Sequence, residues 1–386
     1  MKRLPAALLA LVLSGCASGS GVTVAVRPSA TPSTSVAGSP TAPARRTEAR
    51  PFTGDVYAAD RPGLLSPEAA KARPLVYVPD DRNGRVDVID PATYRVIRTE
   101  KTGHLPQHVT PSWDLRTLWV DNDLGNSLTP IDPRTGAFGH NVPVADPYNL
   151  YFTLDGSAAV VVAERLHRLD FRDPQTMRLE QSLQVACSGV DHADFSVDGT
   201  HALFSCEFSG QLLWVDMVRR RVDRVLTLPR ETNRRPKPQD VKLSPDGRTY
   251  FVADESSNGV FELDARTLQL RRFLTTGLGA HGLYVSRDSR DLYVTNRLSG
   301  SVAVLDARTG AIRTTWQIPG GSPDMGGVSA DGKVLWLSGR YSGEVYALST
   351  TTGQLLARIK VGGEPHGLCV WPQPGRFSLG HTGVLR

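Results

Sequence analysis

The chain reads as an all-β protein, a single seven-bladed β-propeller in which N- and C-terminal strands share the closing blade. Three observations carry this. A strand–turn–strand phrase recurs from Leu75 onward with a period near forty residues. The same turn residues fall at the same places in each repeat. The first repeat lacks an opening strand, whereas the last segment supplies one with no full blade after it. A period of about 40–45 residues built from short strands marks a propeller blade.

The segments before the repeats come first in the chain. Met1-Lys2-Arg3 precedes an apolar run from Leu4 to Leu13, then Ser14-Gly15-Cys16. This basic–apolar–small pattern predicts a signal peptide over residues 1–15. Leu13-Ser14-Gly15-Cys16 resembles the lipobox of bacterial lipoproteins. The resemblance implies cleavage before Cys16, lipidation of its thiol and a membrane anchor on the extracytoplasmic side. No later run is long enough to span a membrane. Residues 16–50 are dominated by Ser, Thr, Ala, Gly, Val and Pro and read as a flexible tether. Residues 51–74 form a transition in which Ser66 to Lys71 is expected to make a short helix, with Ser66 as N-cap and Pro67 at its first position.

The propeller is placed over residues 75–386. Its clearest unit runs Gly282-Leu283-Tyr284-Val285, Leu292-Tyr293-Val294-Thr295-Asn296, Ser299-Gly300, then Val302 to Asp306. The second position of the Asp-Gly-type turn falls at Leu115, Gly156, Gly199, Gly247, Ser289, Gly332 and Gly375, at spacings of 41, 43, 48, 42, 43 and 43. Each unit predicts four short strands. The third is expected to end at Asp90, Asp132, Asp170, Asp216, Asp264, Asp306 or Ser349. The third repeat has no glycine in Ala163-Glu164-Arg165-Leu166-His167, so its hairpin is expected to differ locally. Gly363 to Val370 should complete the first blade and close the ring without an open edge.

The Leu292-Tyr293-Val294-Thr295-Asn296 phrase and its companions resemble the YVTN-repeat, or YncE-like, β-propellers over residues 75–375. That resemblance implies the fold. It leaves function open, because propellers host unrelated roles.

Aligning the repeats sets pairs of residues at the start of each inner strand, around the central channel. They include His108, Asn149, Asp191, His192, Asp240, His281, Asp324 and His366, the candidate recognition face. Imidazoles and carboxylates converging on one axis suit a divalent metal, with His108, His281, His366, Asp240 and Asp324 as the ligands. Equally, polar residues there cap strands and bond neighbouring backbone, and alternation along a strand keeps every pair from pointing inward. A second ring, Asp80, Asn122, Glu164, Cys206, Asp254 and Asn296, ends the second strands and reads as turn chemistry.

The formal net charge is +5, or about +3 without Lys2 and Arg3, which gives little pull on acidic partners. Within it, residues 219–237 hold a basic run that includes Arg230, Arg234, Arg235 and Lys237, a candidate anion patch. No interleaved aromatics offer base stacking, and export removes the chain from nucleic acid. Cys187 and Cys206 fall in one blade, where export permits a disulfide if a loop bends back. Cys369 reads as a small buried core residue.

There is no nucleophile elbow, phosphate loop, Cys-x-x-Cys or His-Glu-x-x-His. The first reading is therefore a monomeric cell-envelope binding or scaffold protein for a protein, peptide or glycan, with no cofactor. The alternative is a metal-dependent hydrolase or lyase of lactonase type on the axial His/Asp ring.

Overall fold

The computed structural model describes residues 52–381 and 384–386. Cys16, the signal peptide and the tether lie outside these residues. Seven antiparallel sheets form the body, six of four strands and one of five. They are the blades of a propeller. Blade 1 joins Leu75–Asp80, Arg85–Asp90 and Arg95–Lys101 to the C-terminal Cys369–Trp371. The closing strand pairs Leu75 with Trp371 and Tyr77 with Cys369. The shared blade therefore stands as the sequence predicts.

The repeat's burial follows from its architecture. Inner and second strands are sandwiched between adjacent blades, so their Val, Leu and Tyr side chains are buried on both faces. Outer strands such as Leu179–Gln184 and Ile312–Gln317 are mostly exposed. The apolar residues gather into one cluster per blade junction. Tyr151, Phe171 and Phe204 lie between blades 3 and 4, and Val76, Trp336 and Val370 seal blade 7 against blade 1. This last cluster closes the ring by burial, beyond the backbone ladder.

Six of the anchor turns share one conformation: Leu115 and Ser289 hold φ of 63° and 61°, beside 67–75° at Gly156, Gly199, Gly247 and Gly332, whereas Gly375, beyond the closing strand, departs at 123°. The glycine-free third repeat does the same, because His167 adopts φ 51° in the second hairpin. The expected local difference is thus corrected. The His167 ring bonds the Cys187 carbonyl at 2.9 Å, which helps hold the turn. One further boundary moves. In blade 3 the third strand is Arg168–Arg172, and Asp173, not Asp170, caps the following turn by accepting from the Gln175 and Thr176 N–H groups. Asp170 instead is buried between Arg168 and Arg172.

Two segments outside the blades cover the end where the anchor turns lie. The expected Ser66–Lys71 helix is one 3-10 turn, Ala69–Lys71. Ser66 Oγ accepts from Ala69 N–H at 3.2 Å. Arg73 precedes Pro74 and must be extended, which leaves no room for a longer helix. Upstream, Tyr57 donates to the Leu243 carbonyl at 2.8 Å and Asp60 pairs with Arg287 at 2.5 Å. The transition is therefore part of the folded body.

Residues beyond Trp371 add no blade. Ser378 bridges Leu385, Leu379 N–H donates to the Val384 carbonyl, and Gly380 bridges Tyr151 on the free edge of the blade 3 inner strand. This hairpin rises through the channel from the anchor-turn end. Phe377 stacks on Trp113 at its base, and Leu379 and Val384 join the core between blades 3 and 4.

Cys187 and Cys206 are disulfide-bonded, with Cα atoms 6.0 Å apart and a sequence separation of 19. Closing a loop of this size stabilises a fold by about 3 kcal/mol. Replacing both cysteines with Ser is expected to lower the unfolding free energy by about that amount in urea titrations. Among the described residues Cys369 is the free cysteine, and it is buried.

Candidate functional site

The site is built by a distortion repeated around the ring. Five inner strands carry a register irregularity just after their first residue, between Pro106 and Val109, Val190 and Ala193, Pro238 and Val241, Ala280 and Leu283, and Pro323 and Gly326. A bulge sets two residues against one and breaks strict alternation. Adjacent residues can then both bury at the axis. Asp191 and His192 do so, with His192 Nε2 3.0 Å from Asp191 Oδ1.

Four predicted histidines, His108, His192, His281 and His366, converge and are at most 2% exposed. The fifth member, His381, comes from the C-terminal hairpin and is fully buried. Its ring centroid lies 4.7 Å from that of His192 and 5.0 Å from that of His108. Sequence reasoning missed it because the hairpin follows the last repeat. Gly367 makes room for this packing, since a Cβ there would lie 2.0 Å from His108 Cδ2.

The ring divides into three groups. His108 Nδ1 bonds the Tyr148 carbonyl at 2.8 Å, and Asn149 Nδ2 reaches His192 Nδ1 at 3.1 Å. On the other side Asp324 gathers His281 at 3.2 Å, Arg297 at 3.2 Å and Arg340 at 3.9 Å. Arg340 also donates to His366 Nδ1. Asp240 is occupied by backbone, accepting from Val241 and Leu283 N–H at 3.0 and 2.9 Å. It ties blade 5 to blade 6. The five residues predicted as one ligand set are therefore not one. The imidazoles whose nitrogens converge are those of His108, His192 and His381.

Burial dominates the protonation of these groups. It lowers His108 to about 3 against the opposing pull of the Tyr148 carbonyl. It drives His192, His281, His366 and His381 well below the usual imidazole value, with nearby cations and imidazoles adding to the effect. All five are neutral at pH 7. Burial raises the Asp191 carboxyl well above the usual range, reinforced by Glu207 and Glu164.

This gives a pH signature. His281 faces Asp324, Arg297, Arg340, His192 and His366. It stays neutral in the fold but takes up a proton in the unfolded chain below about pH 6.5. Its contribution is therefore complete above that pH and is lost as pH falls. His281→Gln is expected to lose about 2 kcal/mol less than the parent between pH 7 and pH 5, read by denaturant titration at each pH.

The second predicted ring does serve its turns. Asp80 accepts from Asn83 and Glu364 N–H, Asn122 donates to Thr129, and Asp254 accepts from Ser257 N–H. Cys206 is spent on the disulfide. Glu164 belongs one place further on, since Ala163 ends its strand. It sits in a ring of residues that each follow a second strand: Asp81, Asp123, Glu164, Glu207, Glu255, Arg297 and Arg340. Blades 1–5 supply acids and blades 6 and 7 supply arginines. Arg340 pairs with Asp81 at 2.7 Å and Arg297 with Glu255. Lys237 bridges Glu207 and Glu255 at 2.9 and 3.3 Å. Glu164 has no cation within 4 Å among the described residues, and burial with Glu207, Asp123 and Asp146 nearby raises it to about 7. Within this ring blades 2–4 supply only acids, of which Asp123 is paired with Arg165 and Glu207 with Lys237.

The basic run is split. Arg219, Arg220 and Arg221 lie by the turn between the third and outer strands, paired with Asp216, Glu180 and Asp223. Arg230, Arg234, Arg235 and Lys237 lie in the loop to blade 5, at the opposite end. Lys237 is committed to the mouth acids, and Arg235 donates to the Phe208 carbonyl. The charge is therefore not pooled in one patch.

Together these features define a seven-bladed propeller with a polar axis, one end closed by its own segments and a charged mouth at the other. The YNCE-like beta-propeller family model matches residues 58–374, and the chain belongs to that family. Solved structures share the fold. The periplasmic gluconolactonase PpgL of Pseudomonas aeruginosa aligns at 19% identity and TM-score 0.63, covering 78% of this chain and 99% of its own. A putative 6-phosphogluconolactonase from Bacteroides uniformis aligns at 17% and 0.59, covering 76% and 98%. Kuenenia stuttgartiensis hydrazine synthase aligns at 20% and 0.57, covering 67% and 87%. None of the curated proteins matches the chain significantly.

Proposed function

We propose that the protein is a non-catalytic binding protein of the cell envelope that presents its charged mouth to a protein, peptide or glycan partner. The observation that carries this is the contrast between axis and mouth. A catalytic metal or base must be reached by substrate, and a catalytic metal keeps an open coordination position. The axial imidazoles are at most 2% exposed, and the hairpin fills the channel beneath them. At the mouth, by contrast, Glu164, Glu207 and Glu255 are partly exposed, and Glu164 lacks a paired cation among the described residues. A partner's ammonium or guanidinium group placed there would neutralise them.

Location enters the proposal by the leader and Cys16, which would lipidate the chain and hold it at a membrane outside the cytoplasm. No helix among the described residues is long and apolar enough to cross a membrane. The Cys187–Cys206 bond fits an oxidising compartment.

The test is quantitative capture of partners from native membranes by the full lipidated chain. Glu164→Lys is expected to weaken retention by about tenfold, whereas reversing the opposite end with Asp198→Lys leaves it unchanged. Equal loss from both substitutions would refute the mouth as the recognition surface. The competing hydrolase reading is tested on gluconolactone. Turnover above buffer that disappears in His108→Ala would replace the proposal.

A further inference from the structure

We infer that His108, His192 and His381 bind one first-row divalent cation of the zinc class, which fastens the C-terminal hairpin inside the propeller. Each residue offers a ring nitrogen, and the three nitrogens lie within 4.8 Å of one another. Zinc–nitrogen bonds of about 2.0–2.1 Å at tetrahedral angles set bound imidazole centroids about 5.2 Å apart. The observed centroid separations are 5.7 Å for His108–His192, 5.0 Å for His108–His381 and 4.7 Å for His192–His381. Nitrogens on one tetrahedral ion lie about 3.4 Å apart, so ring rotation must draw these three together.

The surroundings suit a cation. A metal-bound imidazole usually donates its other N–H to a carbonyl or carboxylate, which fixes its orientation. The Tyr148 carbonyl takes His108 Nδ1 in this way, and His108 Nε2 has no hydrogen-bond partner among the described residues. His192 is held between Asn149 and Asp191, and a cation replaces one of these two contacts. Asp191 and Asp240 place carboxyl oxygens 3.0 Å from His192 and 3.9 Å from His381. Ligands come from blade 2, blade 4 and the hairpin, elements far apart in the chain. One ion would therefore cross-link the ring to its plug. The set is closed to solvent, as structural metal sites are, so it does not depend on the mouth's partner or supply a catalyst. The other cluster of potential ligands, His201, Asp216 and Asp223, lies at the rim. His201 there stacks on Trp214 and bonds Asp223 directly.

The experiment is elemental analysis of the full chain, as purified and after refolding with zinc. About one zinc-class ion per chain is expected to survive exhaustive dialysis. His108→Ala, His192→Ala and His381→Ala should each abolish retention, while His281→Gln and His201→Ala keep it. Cobalt substitution provides a readout that needs no variant, since a tetrahedral visible spectrum is expected from the parent chain. Exchange of the Leu379 and Gly380 amides should quicken when the ion is stripped. Failure of the parent chain to retain any ion, an octahedral cobalt spectrum, or full retention in all three alanine variants would overturn the inference.

Discussion

Replacing Asp324 with Ala is expected to destabilise the propeller by about 3–5 kcal/mol, the cost of breaking a buried ionic network from one side. Asp324 is fully buried at the start of the blade 7 inner strand. It holds Arg297 from blade 6, His281 from blade 6 and Arg340 from blade 7. Without it Arg297, 8% exposed, keeps Glu255 as its one ionic partner among the described residues. Arg340 keeps Asp81. A guanidinium cannot discharge by losing its proton, so it would stay charged with one contact fewer. Removing both sides is gentler, because well-packed apolar replacements of a buried pair are often neutral. Asp324→Leu combined with Arg297→Met is therefore expected to recover at least half of the loss in urea unfolding. A double variant as unstable as the single one would show that the network is not the cause.

Arg386→Ala is expected to cost about as much, about 3–5 kcal/mol, and to loosen the channel hairpin. Arg386 is 4% exposed. It bonds the Asp194 carboxylate at 2.9 Å and the Phe195 and Ser196 carbonyls at 2.9 and 3.1 Å. Asp194 is fully buried, accepts from Leu243 N–H at 2.7 Å, and lies 3.3 Å from Tyr57 Oη. One carboxylate thus meets the N-terminal segment, two inner strands and the C-terminal hairpin. Losing the guanidinium leaves a buried anion with only neutral donors. Hydrogen exchange at Phe377 and Leu379 is expected to quicken more than exchange in the outer strands. Tyr57→Phe should couple to Arg386→Ala in a double-mutant cycle, because both act through Asp194.

The propeller was legible because each blade solves the same local problem. The Asp-Gly turns, the apolar second strands and the missing strand before Leu75 are local signals, and their period fixes the ring. The errors came where a local pattern was weak. The third repeat has no glycine in its second hairpin, so the repeat pattern places Glu164 one residue early and ends the third strand at Asp170, whereas it runs to Arg172 before the Asp173 turn. His167 supplies the left-handed residue there, which composition does not reveal. The axial pairs were visible, but alternation wrongly limited them, because bulges have no sequence signature in these strands. His381 was hidden by lying outside the period. The signal available was apolar residues Phe377, Leu379, Val384 and Leu385 around Gly380-His381, a hairpin pattern. The charged mouth was equally open to reading, since the residue after every second strand is ionisable, Asp81 through Arg340. Its partition into acids on five blades and arginines on two is a spatial fact that emerges only once the ring closes.

Recognition at the mouth, as proposed, requires an axis closed to solvent. Histidine modification by diethyl pyrocarbonate, followed residue by residue in peptide mass spectra of the native chain, tests this directly. His104, His140 and His167 are exposed, and they are expected to react quickly. His108, His192, His281, His366 and His381 are expected to stay unmodified until the fold is opened by denaturant. Reaction of the axial five at the rate of the exposed three would contradict a closed channel and return the axis to candidacy as a catalytic centre.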